Sequence, residues 1–364
     1  MRTTQTVTAA IGLLGTLLLA APAARAADAT RTLRAELAGP DAAAFAVENL
    51  AGTMRVEPGP DGTVSVEATV HAEDDDLARG VRLERVSGEA TPTLRVRFPD
   101  SVHTLRYRAP HEDGDYSFPF LMFEGSHYDY DGRRYRVSTS HGKRLWADLV
   151  VRVPAHGTRA RFRNLVGLVD AAGLEGSLRF EVASADLELR RLGGDVSLSG
   201  SSGDTRASDI RGTWKSDFSS GDVVLDGFEG DGMTFDTSSG DIRVHGARAA
   251  RIALDSSSGD ASFRDADVEE FRAKASSGDI RLEQTTARLK NVRVHTSSGD
   301  VQLRLPNECS FEADADQSSG DMSVGFHDGH ETMRHEKLVA FRRGEGGARI
   351  RVETSSGDLT IAPR

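Results

Sequence analysis

The sequence predicts an all-β protein: a right-handed parallel β-solenoid, or β-helix, of 18–21-residue coils, with an N-terminal β region and an aromatic-rich insertion. The first observation behind this is the tetrapeptide Ser-Ser-Gly-Asp, which occurs eight times, its aspartate falling at Asp204, Asp222, Asp241, Asp260, Asp279, Asp300, Asp321 and Asp358. Successive aspartates stand 18, 19, 19, 19, 21, 21 and 37 residues apart, and a period in this range means that one structural unit is being stacked. The second observation is the alternation that follows each aspartate: Val223 and Leu225, Ile242 and Val244, Ile280 and Leu282, Val301 and Leu303, with polar residues between. Period two is the mark of a strand with one buried face. The third is a matching strand before each aspartate, in Met233 and Phe235, Ile252 and Leu254, Val292 and Val294, Ile350 and Val352. A coil this short closes no core alone, so it must stack in register and bury continuous columns. The right hand follows the preference of parallel crossover connections.

Along the chain, residues 1–26 read as a secretory signal: Arg2, an apolar run from Ile11 to Ala21, then Ala24-Arg25-Ala26. Residues 27–100 form an N-terminal β region, 101–146 an aromatic and histidine-rich insertion, and 147–364 the solenoid. The upstream limit rests on Leu149, Val151 and Val153 before Pro154, and on Ser184-Ala185-Asp186, which keeps the 18-residue spacing to Asp204. About ten coils at roughly 4.8 Å make a rod on the order of 50 Å long.

The Ser-Ser-Gly-Asp strands, Leu-Val-Val-Arg-Val-Pro at Leu149–Pro154, and the ending Gly-Gly-Ala-Arg-Ile-Arg-Val-Glu-Thr-Ser-Ser-Gly-Asp resemble the bacterial "putative adhesin" family, a domain of unknown function built of β-strand repeats. The resemblance covers residues 147–364, and 45–70 more loosely through Phe45-Ala46-Val47-Glu48-Asn49. It implies adhesion as the role and no set of catalytic residues.

Charge and composition narrow the partners. Without residues 1–26 the chain loses Arg2 and Arg25 from its 45 basic residues and none of its 56 acids, leaving a formal charge of −13. Nucleic acid and anionic lipid are therefore not expected partners. No second apolar stretch of membrane-spanning length follows, so membrane insertion is not expected, and the destination is the periplasm, the cell surface or the medium. Cys309 is the only cysteine, which excludes an internal disulfide and favours a packed thiol at a corner.

Three places could carry chemistry. The aspartate ladder reads first as a structural corner, in which glycine supplies a permissive backbone, aspartate accepts from amides a residue or two on, and serine hydroxyls satisfy neighbouring coils. Carboxylates about 4.8 Å apart repel by roughly 0.9 kcal/mol even in water, so amides, arginines or calcium must compensate. One regular acid per coil falls short of the six to eight oxygens calcium takes, so no cofactor is expected, with calcium as the rival reading. The insertion holds all five tyrosines, Phe118, Phe120 and Phe123, and His103, His111, His127 and His141. It reads as a cap over the solenoid end or as a binding surface, with Tyr116, Phe118, Phe120, Tyr128 and Tyr130 as contact residues. Residues 325–346, with His327, His330, His335, Glu331 and Glu336, read as a solvated polar loop. No Gly-x-Ser-x-Gly, His-Glu-x-x-His or phosphate loop is present, so a non-enzyme is expected. The expected role is adhesion or binding of an envelope glycan or protein surface. The alternatives are an envelope-stress or scaffolding component with a protein partner, and a carbohydrate-active β-helix enzyme.

Overall fold

The computed structural model describes residues 29–108 and 126–364; the signal-like segment 1–26 lies outside them. Strands pair in parallel from coil to coil in one solenoid-like stack. Glu175–Arg190 lies on His156–Ala172, Thr205–Phe218 on Gly193–Gly200, Val223–Thr237 on Thr205–Phe218, Ile242–Ser256 on Val223–Thr237, and Ala261–Ser277 on Ile242–Ser256. The register puts like on like: Val223 beside Ile242, Ile280 beside Val301, and Val301 beside Leu359. Each inward side chain thus rests on its equivalent in the next coil, and the alternation expected from sequence becomes continuous apolar columns. Where one column widens its neighbours shrink. Phe263 is fully buried against Phe235 and Phe271, at 6.0 and 5.2 Å between ring centres, and shares its coil with Ala261, Ala266 and Ala273. Close packing at constant cross-section requires this exchange of volume.

The stack begins below residue 147, inside the region assigned to a separate N-terminal unit. Ala44–Gly59 pairs in parallel with His156–Ala172 above it, Val47 against Phe162 and Met54 against Val169. Beneath Ala44–Gly59 lie two further parallel strands, Thr93–Arg97 under its first half and Lys143–Pro154 under its second. The insertion therefore falls, in sequence, between the two strands of the bottom coil and runs into the second of them. Antiparallel strands close this end: Ala29–Ala38 on Thr63–Ala72, and Thr63–Ala72 on Lys143–Pro154.

The far end is also threaded out of order. Ala348–Ser356 lies between Asn291–Ser298 and Phe311–Ser319, and Leu359–Pro363 between Val301–Leu305 and Met322–Val324. The last coil in sequence is thus the penultimate in space. The 37-residue gap holds the chain that makes this return possible. It is a β-hairpin of Gly329–Arg334 and Lys337–Arg343, paired antiparallel to Phe311–Ser319, rather than the solvated loop expected for 325–346. The correction has a packing cause: Phe341 is buried, stacked on Phe311 at 5.7 Å, while Phe326 meets Phe311 edge-on at 5.4 Å and carries the Arg343 guanidinium over its face. Cys309 packs beside this cluster, fully buried, and burial pushes its thiol pKa up.

Candidate functional site

The corner ladder runs the length of the stack. The backbone N–H of each aspartate donates to Oδ1 of the aspartate in the adjoining coil, at 2.8 to 3.0 Å, in the order Asp186, Asp204, Asp222, Asp241, Asp260, Asp279, Asp300, Asp358, Asp321. The expectation of a local turn bond is corrected: the accepted amide belongs to the next coil, because the carboxylate points along the stack axis. The glycine before each aspartate is equally constrained. Gly259 has φ +106°, and a Cβ there would sit 2.2 Å from the carbonyl oxygen of Gly240. Only glycine allows coils to approach so closely at that φ. The second serine of the motif donates to the coil below, as Ser220 to the Ser201 carbonyl at 3.2 Å and Ser258 to that of Ser238 at 3.2 Å.

Cationic side chains and amides answer the repulsion between rungs. Arg243 bridges Asp222 and Asp241 at 3.1 and 2.5 Å, and Arg281 pairs with Asp279 at 2.8 Å. The ladder's final carboxylate, Asp321, meets Lys337 of the end hairpin at 3.2 Å. Its first, Asp186, is half-buried, and burial raises its pKa to about 6 despite the Asp204 N–H it accepts. Among the described residues no three His, Cys, Asp or Glu side chains come together as a metal site, the histidines of 327–335 included.

Below Asp186 the corner changes chemistry. Asn164 donates to the Gly52 carbonyl at 2.8 Å, and Asn49 to the Ala147 carbonyl at 2.8 Å and to Asn164 Oδ1 at 3.0 Å, all fully buried. Gly52 and Gly167, at φ +136° and +117°, stand in the same column, with Ala185 on the rung between Gly167 and Gly203. The matching Asn-Leu-x-Gly pairs, Asn49-Leu50-Ala51-Gly52 and Asn164-Leu165-Val166-Gly167, are the sequence signal for these coils that the aspartate alignment passes over.

Of the five expected contact residues, Tyr116, Phe118 and Phe120 lie outside the described residues. Tyr128 and Tyr130 stand on the hairpin of Ser126–Tyr130 and Arg133–Ser138, turned by Asp131-Gly132 with both residues at positive φ. Neither ring is a contact surface. Tyr130 is 1% exposed, its hydroxyl donating to the Val96 carbonyl at 2.7 Å and its ring packed against Phe98 and Tyr135. Tyr128 is 7% exposed and hydrogen-bonded through its hydroxyl to Ser184 Oγ at 3.0 Å. The alternation that turns the tyrosines inward leaves His127 and Asp129 outward.

The hairpin lies over the lateral face of the lowest coils and seals a charge cluster there. Glu48, 1% exposed, sits between Arg95 at 2.6 Å and Arg161 at 2.9 Å; Arg95 also reaches Asp131 and Glu89, each at 2.8 Å. Glu48 is an outward residue of its strand, so only the cover supplied by the insertion makes it a buried one. Single-strand periodicity cannot reveal that.

Where the hairpin edge ends, a groove of about 630 Å³ opens between it and the coils. Leu165, Val182 and Ala183 line it on the coil side, with His127 and Asp129 from the hairpin. Arg163 donates to the Asp129 carbonyl at 3.1 Å, Arg179 pairs with Glu181 at 2.9 Å, and Ser184 links Tyr128 to Ser202. Such a surface offers forked cationic donors, hydroxyls and carboxylates beside small apolar patches, the mixture that recognises polar ligands.

Residues 147–362 match the family model described as Toastrack DUF4097, and the chain belongs to that family of β-strand-repeat proteins of unknown function. No curated protein matches the chain. Among solved structures it is similar to a "putative adhesin" of Bacteroides fragilis, at 10% identity over 92% of this chain and 97% of that one, TM-score 0.34. It is also similar to a "putative lipid binding protein" of Parabacteroides distasonis, at 12% identity over 92% and 96%, TM-score 0.38. A "putative adhesin" of Parabacteroides merdae is similar at 10% identity over 92% and 96%, TM-score 0.34. None of these likenesses carries a ligand or an activity across.

Proposed function

We propose that this chain is exported through residues 1–26 to the periplasm or cell surface and acts there, without catalysis, as a right-handed β-solenoid of 18–21-residue coils that holds a binding groove for envelope glycan or protein. The groove between the 126–138 hairpin and the lowest coils supports this reading. It occurs where the insertion interrupts the repeat, and most of its polar groups, His127, Asp129, Arg163, Arg179, Glu181 and Ser184 among them, are held on paired strands rather than on loops. Rigid placement of donors lowers the ordering cost of binding. The corner aspartates, by contrast, are occupied with neighbouring amides and have a structural task.

The test is binding of the mature protein to purified envelope glycans and to whole cells, compared with Arg179→Glu and His127→Ala. Both side chains face the groove and neither belongs to the buried cluster. At least tenfold weaker binding with an unchanged Tm is the expected result. Equal binding by wild type and variants would remove the ligand from this groove, and release of sugar from the bound glycan would replace the non-enzymatic reading with a carbohydrate-active one.

A further inference from the structure

Elsewhere on the stack, arginines stand next to acids of the adjoining coil: Arg251 meets Glu270 at 3.2 Å, Arg248 meets Asp267 at 3.7 Å, and Arg243 meets Asp222. Arg161 and Arg179 stand in register with each other as well, but one column departs from this rule over three rungs. Arg272 is in register with Arg293, and Arg293 with Arg351, so three guanidinium-bearing side chains occupy successive rungs of one outer face. All three are exposed. Arg272 and Arg351 turn to acids on their own strands, Glu270 at 3.5 Å and Glu353 at 2.9 Å, while Arg293 makes no ion pair among the described residues. Lys274 and His295 stand beside them in the next outward column, between Asp255 on one side and Glu353, 3.4 Å from His295, on the other, and the face forms an open groove of about 530 Å³ that Asp236 also lines.

The column exists because of the threading. In sequence order the coil after Arg293 offers Asp314 at this position; insertion of the last coil places Arg351 there and moves Asp314 one rung further out. Like charges on neighbouring rungs repel, an arrangement that a ligand of opposite charge would turn into attraction. The ligand must be anionic, must present charges along a line, and must suit planar forks, which take carboxylates bidentately. The mature chain's charge of −13 disfavours a duplex nucleic acid, whose charges fall about every 1.7 Å and would meet the acids elsewhere on the surface, more than a glycan with one charge per ring. Sugar rings in a glycan chain repeat on a length close to the strand spacing, one carboxylate per ring in a polyuronate. We propose that Arg272, Arg293 and Arg351 form a ladder that binds a linear, carboxylate-bearing polysaccharide. The site is distinct from the hairpin groove and does not depend on it.

Polygalacturonate, neutral dextran and duplex DNA would be titrated into the mature protein at low and at physiological salt. The variants would be Arg293→Glu, Arg272→Ala combined with Arg351→Ala, and the control Arg304→Glu, whose residue is exposed on another side of the coil. The expected results are salt-sensitive binding of polygalacturonate, none of dextran, and at least tenfold weakening by both ladder variants but not by the control, at unchanged Tm. Absence of polygalacturonate binding, equal weakening by Arg304→Glu, or DNA binding as tight as that of polygalacturonate would each overturn the proposal.

Discussion

At the scale of single residues, the motif divides its labour. Glycine allows the coils to approach, serine hydroxyls bond the carbonyls below, and aspartate replaces the turn bond of a conventional corner with a bond to the next coil. The Asp260 carboxylate accepts the Asp279 N–H at 2.9 Å, so Asp260→Ala should lower stability by about 1 kcal/mol, whereas Asp260→Asn, which keeps an acceptor oxygen, should stay near wild type. Thermal unfolding of the two variants separates the hydrogen bond from the charge. Asp186 tests the opposite sign. Its pKa is raised from the ordinary 3.8 to about 6, so in that window the folded form holds a proton that the unfolded chain has released. Stability should therefore fall as pH rises from about 4 to about 6, by up to about 3 kcal/mol. Asp186→Asn retains the acceptor for Asp204 and should flatten that slope and raise the Tm at pH 7; an unchanged pH profile would place the carboxylate in water.

At the scale of elements, the repeat strands were legible and the covering elements were not. Alternation around Val223, Ile242 and Ile280 places their faces without reference to anything distant. The Asp131-Gly132 turn also has a readable signal, but what the hairpin covers depends on contacts far along the chain. Glu48 and Tyr130 are buried by one another's elements, so the contact surface expected at Tyr130 does not survive. The end hairpin was hidden for a different reason: its turn residues, His335 and Glu336, adopt positive φ without the Gly or Asn that would announce it. Because Glu48 sits between Arg95 and Arg161, Glu48→Ala leaves buried guanidinium charge exposed to an uncompensated site and should cost about 3 kcal/mol or more, read as a lowered denaturation midpoint. A shift below about 1 kcal/mol would mean that Asp131 and Glu89 suffice for Arg95. Deleting residues 105–143 would strip this cover as well as Tyr107 and Tyr130 from the core, so point changes in the groove are the cleaner test of binding.

At the scale of the whole molecule, both ends share one device. The strand Ala44–Gly59 lies between the bottom coil and His156–Ala172 although it precedes both, and Ala348–Ser356 lies between Asn291–Ser298 and Phe311–Ser319 although it follows both. Antiparallel strands then cover the outermost coil at each end, which blunts the open edges on which a stack of parallel strands would otherwise grow. An alignment of Ser-Ser-Gly-Asp motifs orders coils by sequence and cannot show this exchange; the doubled 37-residue gap is its only trace. The arginine ladder and the Lys337 cap on Asp321 both follow from the exchanged order. Paired cysteines test it directly. In a Cys309→Ser background, Arg293→Cys with Arg351→Cys places two thiols on adjacent rungs in register, and Arg293→Cys with Asp314→Cys places them two rungs apart. Neighbouring rungs lie about 5 Å apart at Cα, within disulfide reach, and rungs two apart lie beyond it. Mild oxidation followed by peptide mass spectrometry should find the 293–351 bridge and not the 293–314 bridge; the reverse would contradict the threading and the ladder built on it.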